Sequence, residues 1–509
     1  MMRGLSRGIA TSYAALGSQV AFFLVVTAFL IDRRGKELYG AWAIVFLLTQ
    51  FMRSLDYGLG TTTARFVAGA RDPQELRRVV TSAVVLLAGG GVAALAAGLA
   101  VSAGSDDLFG ASEYGLASAI AVATVSVALQ LPLSAFGWTL FGVRRIADRN
   151  VWTVVRMVLS GVAIVVAVEL DATLTGWVAA GAAAELLVVV GQAVWCLTRV
   201  EGVAPRARYF ERDRLRTLTR FSAASMSMTL AAQIIFYSDG VVIGAALTAV
   251  DVAVYTVGMR LVDGTSQILR QFSEVFLPVF SELDASDRRE RAPAIVDTGT
   301  RVTLLVGYPL LGMLVALGQP LVALWVGDGF DRSWVPLALL AGGAALNAPL
   351  RFVVFWAMGS AQHGTIGALA AVEAAFNLAL SIVLVGPLGI DGVALATLVS
   401  LALFNGLVVP RVAYARMGGS MWRGFLRPIL VAACVSAPLV VLGRLVVAPA
   451  VEDSGALTVL ASAVLGAALF VLLAMVLFSR EERLRFAGAL RTRLARRAGE
   501  APAAPTAGN

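Results

Sequence analysis

Apolar residues in this chain fall into long runs rather than an alternating pattern. Fourteen runs approach or exceed the ~20 residues that a helix needs to cross a bilayer, and short polar connectors separate them. The first six are Gly8–Ile31, Leu38–Gly60, Val79–Ala103, Leu116–Phe141, Val151–Val168 and Leu174–Leu197. The next six are Thr219–Leu247, Val252–Phe280, Val302–Leu317, Trp334–Gly359, Ile366–Gly386 and Gly392–Tyr414. Phe425–Val446 and Ala456–Phe478 close the series. The pattern predicts an all-α integral membrane protein with fourteen transmembrane helices. The first run is long and is not followed by a small-residue cleavage site, so it reads as a retained helix and not as a removed signal peptide.

The basic residues test that count. With fourteen crossings both termini lie on one side. Placing them in the cytoplasm puts thirty-two of the 41 basic residues in cytoplasmic segments and five outside, with four in the membrane. Cytoplasmic loops of membrane proteins carry just such an excess. Removing one crossing would flip every later loop and destroy the pattern. The expected location is the cytoplasmic membrane of a bacterium, with both ends inside.

Composition narrows the class further. Of 509 residues, 58% are hydrophobic and 15% charged, and mean hydropathy is +0.81. Soluble domains lie nearer 45–50% apolar and about 25% charged. No segment remains for a soluble catalytic domain of ordinary size. The net charge of +8 reads as a basic rim facing anionic lipid and does not call for nucleic acid. Cys196 and Cys434 sit inside apolar runs and offer neither a disulfide framework nor metal-ligand spacing. The single histidine, His363, lies in a connector and carries no assigned role. There is no phosphate-binding glycine loop, no HExxH and no Cys/His cluster. The sequence therefore points to no catalytic residues, no metal and no cofactor, and to a protein that is not an enzyme.

An internal repeat divides the runs. Leu16, Gln19, Phe22 and Phe23 recur as Leu230, Gln233, Phe236 and Tyr237 at an offset of 214, and Tyr39 recurs as Tyr255 at 216. Gly176 recurs at Gly392, again at 216. Runs one to six thus map onto runs seven to twelve in the same order, which implies two parallel six-helix bundles with a cavity between them. The expected organisation is an N-lobe over 1–200, a basic cytoplasmic linker over 201–220 and a C-lobe over 221–416. Two further helices follow over 417–479, then a basic cytoplasmic tail over 480–509.

Polar residues inside the runs are the candidate functional positions, because a charge at the bilayer centre costs about 2.5–3.5 kcal/mol. In run eight Thr256, Arg260, Asp263, Gln267, Arg270 and Glu274 share one helical face. In run two Thr49, Arg53, Asp56, Gly60 and Thr63 do the same. Such faces should line water or another polar wall. Arg53 pairs by spacing with Asp56, Arg260 with Asp263 and Arg270 with Glu274, so each could be neutralised locally. Arg351, Gln19, Gln233, Asp239, Glu185, Glu373, Asn347, Asn377 and Asn405 complete the set. Six intramembrane acids outnumber four arginines, so some acids could be protonated or couple to an ion.

These residues resemble a known family. The run Leu38-Tyr39-Gly40-Ala41-Trp42-Ala43, then Leu55-Asp56-Tyr57-Gly58-Leu59-Gly60 and Arg65, is similar to the start of Wzx-type polysaccharide flippases. So are Phe236-Tyr237-Ser238-Asp239 with Val242-Ile243-Gly244, Tyr255, Arg260-Leu261 and Leu277-Pro278-Val279-Phe280-Ser281. A third similarity is Asn377-Leu378 with Gly389-Ile390-Asp391-Gly392-Val393-Ala394-Leu395-Ala396-Thr397. That family belongs to the multidrug/oligosaccharidyl-lipid/polysaccharide exporter superfamily. The resemblance implies two pseudo-symmetric six-helix lobes in a V, MATE-like, that rock between inward and outward openings. It implies that a polyprenyl-diphosphate-linked oligosaccharide is flipped to the outer leaflet for surface polysaccharide assembly. Arg53, Arg260, Arg270 and Arg351 would then hold the diphosphate. Asp56, Asp239, Asp263, Glu274, Glu373, Gln19, Gln233 and Asn377 would line the cavity or couple an ion. The implied partners are membrane lipids and, in the same pathway, a polysaccharide polymerase and glycosyltransferases. The chain is expected to act as a monomer. A lipid II flippase of peptidoglycan synthesis and a MATE-like drug or cation antiporter are the alternatives.

Overall fold

A computed structural model describes residues 2–110, 114–274, 280, 289–359, 363–451, 454–480 and 482. The regular elements among them are helical. They are α1 (Met2–Ala68), α2 (Pro73–Ala103), α3 (Ser105–Phe109), α4 (Leu116–Gly142), α5 (Ile146–Glu169), α6 (Leu174–Arg199), α7 (Arg212–Ala246) and α8 (Ala249–Glu274). Then come α9 (Ala292–Val326), α10 (Trp334–Gly359), α11 (His363–Leu403), α12 (Val409–Met417), α13 (Arg427–Leu442), α14 (Ala448–Val451) and α15 (Gly455–Leu477). Among the described residues eleven helices are long and apolar enough to cross a membrane.

Two of the eleven, Leu16–Ala68 and Gly364–Met417, have 53 and 54 residues. At ~1.5 Å per residue each would reach about 80 Å if straight, far beyond a ~30 Å hydrocarbon core. Neither is straight. Gly35 interrupts α1 at φ 80° and ψ 175°, and Gly389 interrupts α11 at φ 61° and ψ −140°. Positive φ is readily available to glycine and strained for other residues. The chain doubles back at both breaks. Thr27 and Tyr39 are twelve residues apart, yet their hydroxyls lie 3.4 Å from each other. The rings of Phe23 and Phe46 have centroids 5.3 Å apart. Across the second break Asn377 reaches Thr397 at 3.1 Å. Each long helix is therefore a helical hairpin, with arms α1a (2–34) and α1b (36–68), and α11a (363–388) and α11b (390–403).

Local signals place the other ends. Asp72 accepts from the backbone N–H of Gln74 and Glu75 at 2.8 and 2.7 Å, and Pro73 opens α2 without needing a donor. Gly327, at φ 80°, ends α9. Helix α8 falls outside the apolar set because its polar face, from Asp251 to Glu274, lowers its hydropathy.

The early helices pack mainly among themselves, as do the later ones. Helices α2, α4 and α6 lie side by side, as do α5 and α6, and α1 packs on α4 and α5. Later in the chain α7 packs on α11, α10 on α8, α9 and α11, and α9 on α13 and α15. Between the two sets α1 packs against α7 and α8, and α2 and α3 also touch α7. Tyr39, Leu30, Ile44, Leu47, Trp177 and Tyr255, all fully buried, form the core at this crossing. At its centre a Cβ built on Gly40 would lie 1.8 Å from the backbone carbonyl of Ala249 at the start of α8. The two backbones touch only because residue 40 has no side chain. Replacing Gly40→Ala should therefore destabilise the fold by about 1–3 kcal/mol through overpacking. The readout is the melting temperature of the purified protein in detergent; an unchanged value would show that the crossing can open at no cost.

Candidate functional site

Three groups of buried or half-buried polar residues lie around α1 and α8, and each meets the cost of leaving water in its own way. The first belongs to α7, α8 and α11. Asp239, 1% exposed, accepts a short hydrogen bond from the Tyr255 hydroxyl and another from Thr397 Oγ1 at 2.9 Å. Thr397 in turn accepts from Asn377 Nδ2 at 3.1 Å. One turn before Asn377, Glu373 is 2% exposed. Asp239 Oδ1, Asn377 Oδ1 and Glu373 Oε1 are buried with no hydrogen-bond partner among the described residues. The group is thus rich in acceptors, and among the described residues no arginine is bonded to Asp239. Such a site suits a proton or a small cation, since an isolated carboxylate is very costly in low dielectric.

The second group is Arg260 on α8. Its guanidinium sits 4.3 Å from the ring centroids of both Phe23 and Phe46, between the two arms of α1. It also reaches the Tyr39 hydroxyl. Its Nε and Nη2 are buried without an acceptor among the described residues. The pairing with Asp263 that the spacing allows is replaced by these π faces, and Asp263 instead accepts from Gln267 at 3.1 Å. Cation–π contacts with desolvated arginine are worth about 2 kcal/mol or more each, but they leave Nε and Nη2 without an acceptor among the described residues, so those donors stay available to an anion.

The third group is Arg53 on α1b. It does not pair with Asp56. It forms an ion pair with Glu185 on α6 and a hydrogen bond to Gln130 on α4 at 3.2 Å. Asp56 accepts instead from the Trp138 indole at 2.8 Å. Gly60 makes that possible, since a Cβ there would lie 1.9 Å from Trp138 Nε1. Thr49 and Thr63, on the same face, bond to carbonyls of their own helix. Arg53 and Asp56 border a small cavity whose wall also carries Arg149, Arg156, Trp152 and Gln192.

The remaining candidates lie apart from these groups. Arg270 on α8 is exposed, and the Glu274 side chain lies outside the described residues. Arg351 on α10 and Gln19 on α1a are half-buried. Gln233 on α7 has a buried Oε1 without a partner among the described residues. Asn347 accepts from Asn405 at 3.3 Å. Sequence reasoning missed Glu185 as the partner of Arg53, and it did not count Gln130, Trp138, Thr397, Arg149 or Arg156 among the candidate site residues. Arg149 and Arg156 carried one readable signal, a spacing of seven that puts them on one face of α5.

With this geometry in hand, the relatives can be placed. A family model described as "Polysaccharide biosynthesis protein" matches residues 10–284, more than half of the chain. The chain belongs to the polysaccharide biosynthesis protein family. It is 26% identical over 351 residues to a succinoglycan biosynthesis transport protein, ExoT, of Rhizobium meliloti (strain 1021), covering 65% of this chain and 64% of that one. It is 20% identical over 188 residues to a probable low-salt glycan biosynthesis flippase, Agl15, of Haloferax volcanii, covering 37% and 40%. The chain thus spans less than two thirds of the length of these relatives. In fold it resembles the lipid II flippase MurJ in an inward closed conformation, with a TM-score of 0.68 and 13% identity over 92% of this chain and 98% of that one.

Within this family member the repeat has a structural counterpart. Tyr39 and Tyr255, 216 residues apart, are both fully buried, and each hydroxyl meets the preceding helix, at Thr27 and at Asp239. Each hydroxyl also meets a charged group, Tyr39 the Arg260 guanidinium and Tyr255 the Asp239 carboxylate. Tyr255→Phe and Tyr39→Phe should therefore each cost about 1–3 kcal/mol. Thermal unfolding of the two variants side by side measures this; an unchanged melting temperature in either would show that its charged contact adds nothing.

Proposed function

We propose that this protein flips a polyprenyl-diphosphate-linked oligosaccharide from the inner to the outer leaflet of the bacterial cytoplasmic membrane by alternating access, for surface polysaccharide assembly. The observation that carries the reading is the buried Arg260, held between two rings with guanidinium donors unspent, in a membrane-length member of the polysaccharide biosynthesis family. A guanidinium keeps its charge at any relevant pH and offers forked donors to phosphate oxygens. Arg53, Arg270 and Arg351 are the further diphosphate candidates.

The reading includes fourteen crossings. Eleven apolar helices, of which two are hairpins, give thirteen passes, and α8 supplies the fourteenth. Helices α1–α6 would form one lobe, α7–α12 the other, and α13–α15 the two added crossings. Both termini would be cytoplasmic, and the protein would work as a monomer among membrane lipids. Asp239, Glu373 and Asn377 would couple transport to a proton or sodium ion, with Asp56, Asp263, Glu274, Gln19 and Gln233 as polar lining. A polymerase and glycosyltransferases of the same pathway would be its partners.

Proteoliposomes carrying a fluorescent polyprenyl-diphosphate oligosaccharide test this through loss of the outer-leaflet signal to a membrane-impermeant quencher. Wild-type protein should expose the headgroup, and Arg260→Ala, Arg53→Ala or Arg270→Ala should slow exposure at least about tenfold with insertion unchanged. Wild-type rates in all three would remove the arginines from the site. Movement of a peptidoglycan precursor in place of the oligosaccharide would support a lipid II flippase, and export of cationic drugs would support an antiporter.

A further inference from the structure

We infer that Tyr209, on the linker between α6 and α7, is a tyrosine-phosphorylation site whose phosphate ester is held by Arg77 and Arg208 and fastens the linker to α2. The inference rests on the topology proposed above, which puts this linker in the cytoplasm, where ATP is.

The linker is laid along the start of α2. Gly202 turns at φ 78°, and a Cβ there would lie 2.5 Å from the Pro73 carbonyl. Val203, fully buried, shares a core with Leu76, Val79 and Val80. The backbone N–H of Arg206 reaches Thr81 Oγ1 at 3.4 Å. A single helical turn, Ala207–Tyr209, then brings Tyr209 to Arg77.

There two guanidiniums converge on one phenol oxygen. Arg77 Nη1 donates to Tyr209 Oη at 3.3 Å, and Arg208 Nη2 donates at 3.2 Å. Both guanidiniums also lie over the ring, 5.1 and 4.9 Å from its centroid. Hydrogen bonding from Arg77 holds the phenol below its usual pKa. Tyr209 is only half-buried, so a kinase can reach it.

The neighbouring carboxylates are spent elsewhere. Glu211 pairs with Arg78 and Arg214, and Glu75 faces Arg214. Among the described residues neither Arg77 nor Arg208 is in an ion pair, and Arg77 Nε is buried without an acceptor. A neutral phenol oxygen is a weak match for two full positive charges. A phosphate ester carries a charge of about −1.5 to −2 at neutral pH and three acceptor oxygens. It would answer both arginines and the unused donor at once. A free anion would first have to displace the hydroxyl that occupies this point, whereas a phosphate on Oη extends from it. The geometry therefore favours modification over binding.

In the step a tyrosine kinase transfers the γ-phosphoryl of ATP. The bond from the γ-phosphorus to its bridging oxygen breaks, the Oη–P bond forms, ADP leaves and the phenol proton passes to the kinase's base. Helix α7 begins at Arg212, just after Tyr209. Fastening Tyr209 to α2 thus ties the start of α7 to the first six helices, and the ester acts as a brake on their relative motion.

The test uses the purified full chain, ATP and a broad-specificity tyrosine kinase, with Tyr209→Phe as the control. Mass spectrometry should find phosphate on Tyr209 in this sample and in protein isolated from its own cells. Phosphorylation should slow trypsin cleavage after Arg206 about tenfold in wild type but less than about twofold in Arg77→Gln, where the phosphate is the same and its clamp is missing. Arg208→Gln gives the same comparison if Arg77→Gln does not fold. No phosphate on Tyr209 in either sample, or equal slowing in wild type and variant, would overturn the site. Protection of the unphosphorylated linker by phosphatidylglycerol vesicles, with none added by phosphorylation, would overturn it in favour of a lipid headgroup. In proteoliposomes the phosphorylated protein should flip the oligosaccharide about tenfold more slowly than Tyr209→Phe treated in the same way. Equal rates would overturn the brake alone, and no flipping by unmodified protein would overturn the function proposed above but not the clamp.

Discussion

A charge buried among apolar helices must find a counter-charge, a polar partner or a π face within the protein, because hydrocarbon offers none. Much of the architecture around α1 follows from that constraint. Arg53 finds a carboxylate, Arg260 finds two phenylalanine rings, and Asp239 finds two hydroxyls. These solutions differ in what they leave over. The Arg53 pair is neutral. Arg260 keeps positive charge with free donors, and Asp239 keeps free acceptors. A protein that only had to be stable would gain little from the last two, since an unsatisfied buried polar group costs about 1–3 kcal/mol.

The first of these, Arg260, lies where the first and later helices meet. Phe23 and Phe46 come from the two arms of α1, and Arg260 comes from α8, so the guanidinium spans that junction. Asp239, by contrast, is bonded only within α7, α8 and α11. Relative motion across the junction would therefore change the surroundings of Arg260 and leave those of Asp239 intact. The glycines agree with this division. Gly40 allows the backbone of α1b to touch α8, and Gly240 and Gly244 receive Leu47 and Ile44 of α1b on α7.

Much of the architecture was legible as hydropathy, because a crossing has a fixed length and a fixed solvent. The two hairpins were read as separate runs, and Gly35 and Gly389 sit in the connectors that the runs left between them. The polar faces of α1b and α8 were legible as helical spacing. Their partners were not. Spacing along one helix pairs Arg53 with Asp56, but Glu185 lies 132 residues away and only packing brings it to Arg53. Arg260 shows the same limit, since aromatic rings at Phe23 and Phe46 carry no charge pattern that would mark them as its partners. The repeat brought Tyr39 and Tyr255 together as equivalents, but it gave no hint that one would meet a threonine and the other an aspartate.

The ends of α1b differ in kind from its middle. Near Gly35, Lys36, the only lysine in the chain, donates to the Gly329 carbonyl at 2.6 Å and lies 4.5 Å from the Phe330 ring. At the far end Arg65 covers Phe221 at 4.6 Å, and close by Arg214 at the start of α7 faces Glu75 at 3.9 Å. These contacts are exposed or partly so, and interactions of this kind contribute about 0–1 kcal/mol each because water and salt compete for them. The middle is held by Tyr39, Leu47, Tyr255 and the Arg260 stack, all shielded from water. Separating either end thus costs far less than separating the middle. The same distribution of polar and apolar residues that fixes α1b in place leaves its two ends the easier parts to release.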